Sequence, residues 1–392
     1  MISGVEERAI ANIDQGHIPT PNENLANNAR ILFILSSMSA GGAERVASSM
    51  LNFWANQSRE IGLLTLAKED NDHYPLDTRI TRFSSDLLSP SKNIWQGITA
   101  NVRRMQSIRA AVEEFKPDIV ISFIERTNIL TIGALLGKKL PVIVSERIDP
   151  RQYHIDVLRR LARRCVYPRA KSLVMQTQSV ADWGRSVMVN AERVAVIANP
   201  VPELPTSSTF SSRGKSLLAV GRLTHQKGFD LLIQAFAVSR VRANGWTLNI
   251  LGDGPDREIL EGLIEQLDVA DQVRLVGVVS DPWAWMDRAR IFLLPSRFEG
   301  FPNVLLEAMS MGCACIAADC PSGPSEIINN EQNGLLVAPS DVTDLVNALD
   351  HLEENQELAE QFANSALQVR EEFAVERIMY EWDTLIGKCL SS

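Results

Sequence analysis

One plan, used twice, constrains this chain more than any other feature. Short unbroken apolar runs alternate with longer stretches of helical period, and a proline-rich break interrupts the series once. In the first half Ile31–Ser36, Ile61–Leu66, Ile119–Phe123, Val142–Val144 and Leu173–Gln176 read as strands. A helix from about Ala43 carries Val46, Met50, Leu51 and Trp54 near a 3.6-residue period. Runs that are apolar at every position suit strands of a parallel sheet covered by helices on both faces. Asn199-Pro200-Val201-Pro202 and the Pro/Ser/Thr-rich run to Lys215 break the pattern. It then restarts with a strand at Ser216–Val220, a loop at Gly221–Gly228 and a helix over Phe229–Ala243. Leu248–Leu251, Val273–Gly277, Ile291–Leu294, Cys315–Ala318 and Gly334–Val337 supply further strands, and the turn Gly252-Asp253-Gly254-Pro255 opens a helix that runs through about Leu267.

The pattern predicts an α/β protein of two doubly wound domains facing each other across a cleft. Open α/β sheets bind ligands at the carboxyl ends of their strands, so the cleft is the expected site. The expected boundaries are a flexible tail over 1–29, a first domain over 30–198, a linker over 199–215 and a second domain over 216–370. A closing helix over 371–392, apolar at Phe373, Ile378, Trp382, Leu385 and Ile386, is expected to pack back on the first domain.

With 392 residues, each domain has enough chain for its own core. A net charge of −9 argues against nucleic acid as the main partner, which would require a net basic surface. The five cysteines show neither metal spacing nor a disulfide framework, and the five histidines are scattered. No segment approaches the roughly 18 uncharged apolar residues of a membrane span. The polar start of the chain lacks the apolar core of a signal peptide. The expectation is a cytoplasmic protein that needs no metal or other cofactor.

Ser296–Met311, SRFEGFPNVLLEAMSM, places Glu299 and Glu307 eight residues apart. Glu299 lies in a loop after an apolar strand, and Glu307 lies about one turn inside the helix that Pro302 favours. The free N–H groups of Asn303, Val304 and Leu305 at that helix N-terminus suit a phosphate. A phosphate with a carboxylate on either side suggests a nucleotide-sugar. The loop Gly221-Arg222-Leu223-Thr224-His225-Gln226-Lys227-Gly228 adds an Arg that can fork onto phosphate oxygens and a Lys as a mobile charge. Ala40-Gly41-Gly42-Ala43-Glu44 joins a strand to a helix, where two glycines let backbone approach an anion; it is not the G-x-G-x-x-G of dinucleotide binding.

With these motifs in their order and spacing, residues from about Ile31 to Ile386 resemble a family 4 retaining glycosyltransferase of the GT-B fold, of the kind that builds bacterial envelope polysaccharides. The resemblance implies that Glu307 holds the ribose hydroxyls, that Arg222 and Lys227 clamp the diphosphate, and that Glu299 lies against the donor sugar, these last three forming the catalytic set. It implies donor contacts from Gly41, Gly42, Gly221, Gly252 and Gly254, backbone of Val276 and Gly277 at the base, and Gly300, Phe301, Pro302, Asn303 and Val304 bordering the sugar and phosphates. It further implies transfer with retention to a glycan or lipid-linked acceptor, with the leaving phosphate as base. Many relatives carry a histidine after the strand that here ends Val144-Ser145-Glu146-Arg147, so Glu146, Arg147 and Asp149 are the acceptor-side candidates, with His154 further along. A nucleotide-sugar epimerase of the same fold and a non-catalytic sugar-nucleotide-binding partner are the competing readings.

From Arg147 to Lys171 eight basic residues stand against two acids. Arg159, Arg160, Arg163 and Arg164 fall on one helical face, with Leu158, Leu161, Ala162 and Cys165 on the other. Such a helix is expected to lie on anionic lipid with its arginines toward the membrane.

Overall fold

The computed structural model describes residues 21–88, 93–152, 155–204 and 208–391. The first sheet holds β1 (Ile31–Leu35), β2 (Ile61–Thr65), β3 (Thr81–Ser84), β4 (Ile119–Phe123), β5 (Val142–Ser145), β6 (Ser172–Met175) and β7 (Val194–Val196), in the order β3-β2-β1-β4-β5-β6-β7. The second holds β8 (Ser216–Val220), β9 (Thr247–Leu251), β10 (Val273–Gly277), β11 (Ile291–Leu294), β12 (Ala314–Ala318) and β13 (Leu335–Val337), in the order β10-β9-β8-β11-β12-β13. Every strand pairing is parallel. Both sheets are therefore doubly wound, with a topological switch point beside their first strands, where open α/β sheets place ligands.

The central strands are buried at every position because helices cover both faces. Residues of β1 point alternately into two separate cores, Phe33 into one and Ile34 into the other. The edge strands escape the sequence pattern. Thr81-Arg82-Phe83-Ser84 pairs with one neighbour and is partly exposed throughout, and Val194–Val196 lies at the other edge. The expected helix over Phe229–Ala243 is broken at Ser239, whose backbone is extended (ψ 159°). Asp350 caps the second piece by accepting the Arg240 N–H at 2.7 Å.

The final helix, Val375–Ser391, completes the first domain's core with Ile378, Met379, Trp382 and Ile386. Asp383 on this helix accepts two bonds of 2.7 Å from Arg59 and one of 2.9 Å from the Trp54 indole, all buried. The same guanidinium donates to the Ala26 carbonyl and to Asn27 Oδ1. Those two residues belong to a helix over Pro21–Asn28, within the stretch expected to be a flexible tail. Arg59 and the closing helix hold it in place; residues 1–20 lie outside the described residues.

The helix Val157–Val166 is turned opposite to expectation. Arg163 is buried, with its guanidinium 4.6 Å from the Trp183 ring centre, and Arg159 pairs with Asp156 and Glu125. Leu158 and Leu161, expected opposite the arginines and away from lipid, are 73% and 55% exposed, with Arg160 and Arg164 beside them on the surface. Carboxylates in the domain interior draw two of the four arginines inward and leave the leucines outside.

Candidate active site

The two domains meet around a cavity of about 550 Å³ at the carboxyl ends of β1, β4 and β5. Among the site residues expected from sequence, Gly41, Gly42, Glu146, Arg147, Arg222, Phe301 and Asn303 line it. The others stand behind this wall, most of them in the second domain.

β11 ends at Leu294, and the chain turns through Pro295–Gly300 before the helix Asn303–Ser310 begins. Glu299 is buried in this turn. Its Oε1 accepts from Lys227 Nζ and Ser296 Oγ, both at 2.6 Å, so the expected phosphate-binding lysine rests on the expected sugar-side carboxylate. Gly300 has a steric reason: a Cβ there would lie 2.9 Å from the Ile148 Cα and 3.0 Å from the Arg147 carbonyl, backbone of the opposite domain. Pro302 occupies the cap position rather than the first helical position. Of the three amides expected to be free, Asn303 N–H donates to the Phe301 carbonyl and Leu305 N–H to the Pro302 carbonyl, because the first turn is tight. Val304 N–H has no such backbone bond, so the anion site at this terminus is narrower than the sequence implies.

Glu307, a turn further on, is 2% exposed, and burial raises its carboxyl pKa. One oxygen pairs with Arg45 of the first domain and the other accepts from the Trp283 indole at 3.2 Å. Neither partner is suggested by sequence; Arg45 lies one residue beyond the Gly41–Glu44 motif. Gly252 and Gly254 do not reach the cavity. A Cβ on them would strike the Gly221 and Leu223 carbonyls at 2.0 and 2.3 Å, so they let two loops of the second domain pack. The Gly277 carbonyl accepts from Gly252 N–H at 2.8 Å, which ties the Val276-Gly277 backbone to the same loop cluster. Arg222 is exposed on the cavity wall, close enough to Glu44 to lower a carboxyl pKa that burial raises.

The first domain supplies a buried polar chain. Tyr167 donates to Glu146 Oε1 at 2.6 Å, and Asn128 Nδ2 donates to the Ser145 carbonyl at 2.9 Å and to Tyr167 at 3.3 Å. Burial pushes the Glu146 carboxyl up to about 7. Arg147 lies 4.1 Å from the Phe123 ring centre and donates to Asn199, which in turn donates to Asn303 of the second domain. Burial lowers the Arg147 pKa to about 9. Asp149, the third acceptor-side candidate, does not line the cavity; Arg151 and Ser322 hold it at the domain junction. His154 lies outside the described residues. Glu125, which the sequence did not single out, is in the cavity wall. Among the described residues no group of three or more His, Cys, Asp or Glu could hold a metal ion, and no helix is long and apolar enough to cross a membrane.

Residues 40–203 match the family described as Glycosyltransferase Family 4, and residues 201–369 match Glycosyl transferases group 1. The lipopolysaccharide 1,6-galactosyltransferase of Salmonella typhimurium is 36% identical over 338 residues, covering 82% of this chain and 89% of the relative. The GalNAc-alpha-(1->4)-GalNAc-alpha-(1->3)-diNAcBac-PP-undecaprenol alpha-1,4-N-acetyl-D-galactosaminyltransferase of Campylobacter jejuni is 27% identical, covering 92% and 98%. Among solved structures, Anabaena HepE in complex with UDP and glucose superposes with a TM-score of 0.75 at 20% identity, covering 93% of this chain and 100% of that one. The fold is GT-B, and the chain belongs to the family 4 glycosyltransferases. Its activity is glycosyl transfer, and the relatives support this over the epimerase reading.

Proposed function

We propose that the protein transfers a sugar from a nucleoside diphosphate sugar, with retention, to a lipid-linked or polysaccharide acceptor of the cell envelope. The observation that carries this reading is the Lys227–Glu299 pair at the mouth of the Asn303–Ser310 helix, with Lys227 on the same loop as Arg222 of the cavity wall. A diphosphate entering there draws Lys227 off Glu299 and meets Arg222 and the Val304 amide, which stabilise the charge that develops on the leaving group. Glu299, released, faces the sugar, and Glu307 exchanges Arg45 for the ribose hydroxyls. The C1–O bond to phosphate breaks as a C1–O bond to the acceptor hydroxyl forms on the same face. The hydroxyl proton passes to the departing phosphate oxygen. Glu307 takes the ribose in this scheme, so a double displacement by two carboxylates about 5–5.5 Å apart is not available. Glu146 and Arg147 border the acceptor, and the two cations make a metal unnecessary.

HepE was solved with UDP, and the Campylobacter relative is named for an undecaprenol-linked acceptor, which supports donor and acceptor classes of this kind. The same acceptor class would bring the protein to the cytoplasmic face of a membrane. We place that contact on Leu158 and Leu161 flanked by Arg160 and Arg164, in place of the four-arginine face.

The test is incubation of the purified protein with a panel of nucleoside diphosphate sugars and a membrane extract, with and without EDTA, read by mass spectrometry. The reading expects an acceptor one sugar heavier under both conditions. A new isomer of the donor alone would overturn transfer, and loss of product on chelation, restored by a divalent ion, would overturn the metal-free scheme.

A further inference from the structure

β4 leads into the cavity through an unusual turn. Ile124, the residue after Phe123, has φ 74° and ψ 132°, a left-handed conformation that a β-branched side chain rarely adopts. The turn is pinned from both sides, since Ile124 N–H donates to the Ser145 carbonyl of β5 at 3.1 Å and its carbonyl accepts from Asn128 N–H at 2.9 Å. Strain of this kind persists where surrounding structure over-determines it, and it collects at ligand sites. Here it brings the next residue, Glu125, into the cavity wall. Glu125 is 4% exposed. Its Oε2 receives Arg159 at 3.4 Å, a long contact, and its Oε1 has no hydrogen-bond partner. A buried carboxylate oxygen left unmatched calls for a donor from a ligand.

The chemistry of the wall says what that ligand is. Glu125, Arg126, Thr127, Glu146, Arg159 and Arg163 line one end of the cavity, and all belong to the first domain. Arg159 pairs with Glu125 and Arg163 with Glu146, so the charge at this end is largely balanced, which suits a ring carrying several hydroxyls better than a compact anion. The donor-side groups Glu299, Lys227 and Glu307 are all in the second domain, so a sugar held from this side is the acceptor's. Resting on the transfer reading above, we infer that Glu125 accepts a hydrogen bond from a non-reacting hydroxyl of the acceptor sugar and so sets which acceptors the enzyme takes. It is a binding and specificity residue, separate from the donor machinery and from the bond-making step.

The test is Glu125→Gln, which keeps the shape of the side chain and replaces one carboxylate oxygen with a donor. Transfer is measured with octyl glycosides of glucose, galactose and N-acetylgalactosamine as acceptors, using the nucleotide sugars that the parent enzyme accepts. UDP binding by calorimetry and the melting temperature are measured alongside. For the best acceptor, KM is expected to rise at least about tenfold, because a site built to pair a hydroxyl tolerates its loss poorly. The kcat, UDP affinity and melting temperature stay within about twofold or a few degrees of the parent. If Glu125 only neutralises Arg159, the double variant Glu125→Gln/Arg159→Gln would return the acceptor KM to the parent value, and that result would overturn the inference. An unchanged acceptor KM in the single variant, with an active parent, would overturn it while leaving transfer intact. A parent inactive with every donor and acceptor would remove the transfer reading and this inference with it.

Discussion

Glu299 and Glu307 are both buried, yet they have different partners, and this separates their expected roles. Glu299 is held by Lys227 and Ser296 on the cleft side of the turn, and Glu307 by Arg45 and Trp283 deeper in the domain junction. Glu307→Ala is expected to weaken UDP binding, and Glu299→Gln to lower turnover with UDP binding little changed. Loss of one charge-assisted bond, about 1.5–3 kcal/mol, puts each effect at about 10- to 100-fold. Calorimetry with UDP beside steady-state kinetics checks the split, and parent-like values for both variants would sink the assignment. Glu146 gives a pH signature. Its folded-state pKa of about 7 stands above the ordinary 4.5, so between those values the folded protein keeps a proton that the unfolded chain has released. The group's stabilising contribution is complete below about pH 4.5 and is lost as pH rises to about 7, roughly 3 kcal/mol in all. Glu146→Gln removes that slope, so urea unfolding at pH 4.5 and 7.5 should show the parent losing about 3 kcal/mol more than the variant between the two. Identical pH dependence in both proteins would contradict it. The sequence made Glu299, Glu307, Arg222 and Lys227 legible because they share short motifs. Arg45, Trp283 and Glu125 were not, because their partners lie far along the chain and no local pattern marks a pairing of that kind.

The elements differ in how plainly sequence announces them. Central strands are apolar at every position because helices cover both sheet faces, and they read directly. The edge strands β3 and β7 carry polar or half-exposed residues and give no such signal. The helix Val157–Val166 was legible as amphipathic, but its rotation was not, since the carboxylates that turn Arg159 and Arg163 inward come from the connections that follow β4 and β5, elsewhere in the chain. Burying Leu158 and Leu161 in a membrane would contribute about 1.5–3 kcal/mol each, and Arg160 and Arg164 about 1 kcal/mol each on anionic lipid. The protein should therefore sediment with anionic liposomes and be only partly released by 1 M salt, while Leu158→Asp with Leu161→Asp should leave it in the supernatant. Equal sedimentation of parent and variant would move the membrane contact elsewhere. The closing helix offers a stability test. Asp383→Ala leaves the Arg59 guanidinium buried without its counter-charge and the Trp54 indole without its acceptor, at a cost of about 3–5 kcal/mol in chemical denaturation. A loss under about 1 kcal/mol would show that Asp383 does not anchor this helix.

At the scale of the molecule, two sheets present their carboxyl ends to one cavity, and side chains cross between them. Arg45 reaches Glu307, Asn199 reaches Asn303, and Asn303 reaches the Gly42 carbonyl. Each crossing joins a residue of the first domain or the linker to the strand–loop–helix unit that carries both glutamates, so that unit is tied directly to the opposite side of the cleft. The final helix returns to the first domain and packs into its core. In the proposed scheme donor and acceptor approach the transferred carbon from the same side, which is front-face transfer. The most direct measurement is the proton NMR spectrum of the product's anomeric centre, taken early in the reaction from an α-linked nucleotide sugar. An α-linked glycoside is the result this account requires, and a β-linked glycoside would contradict it.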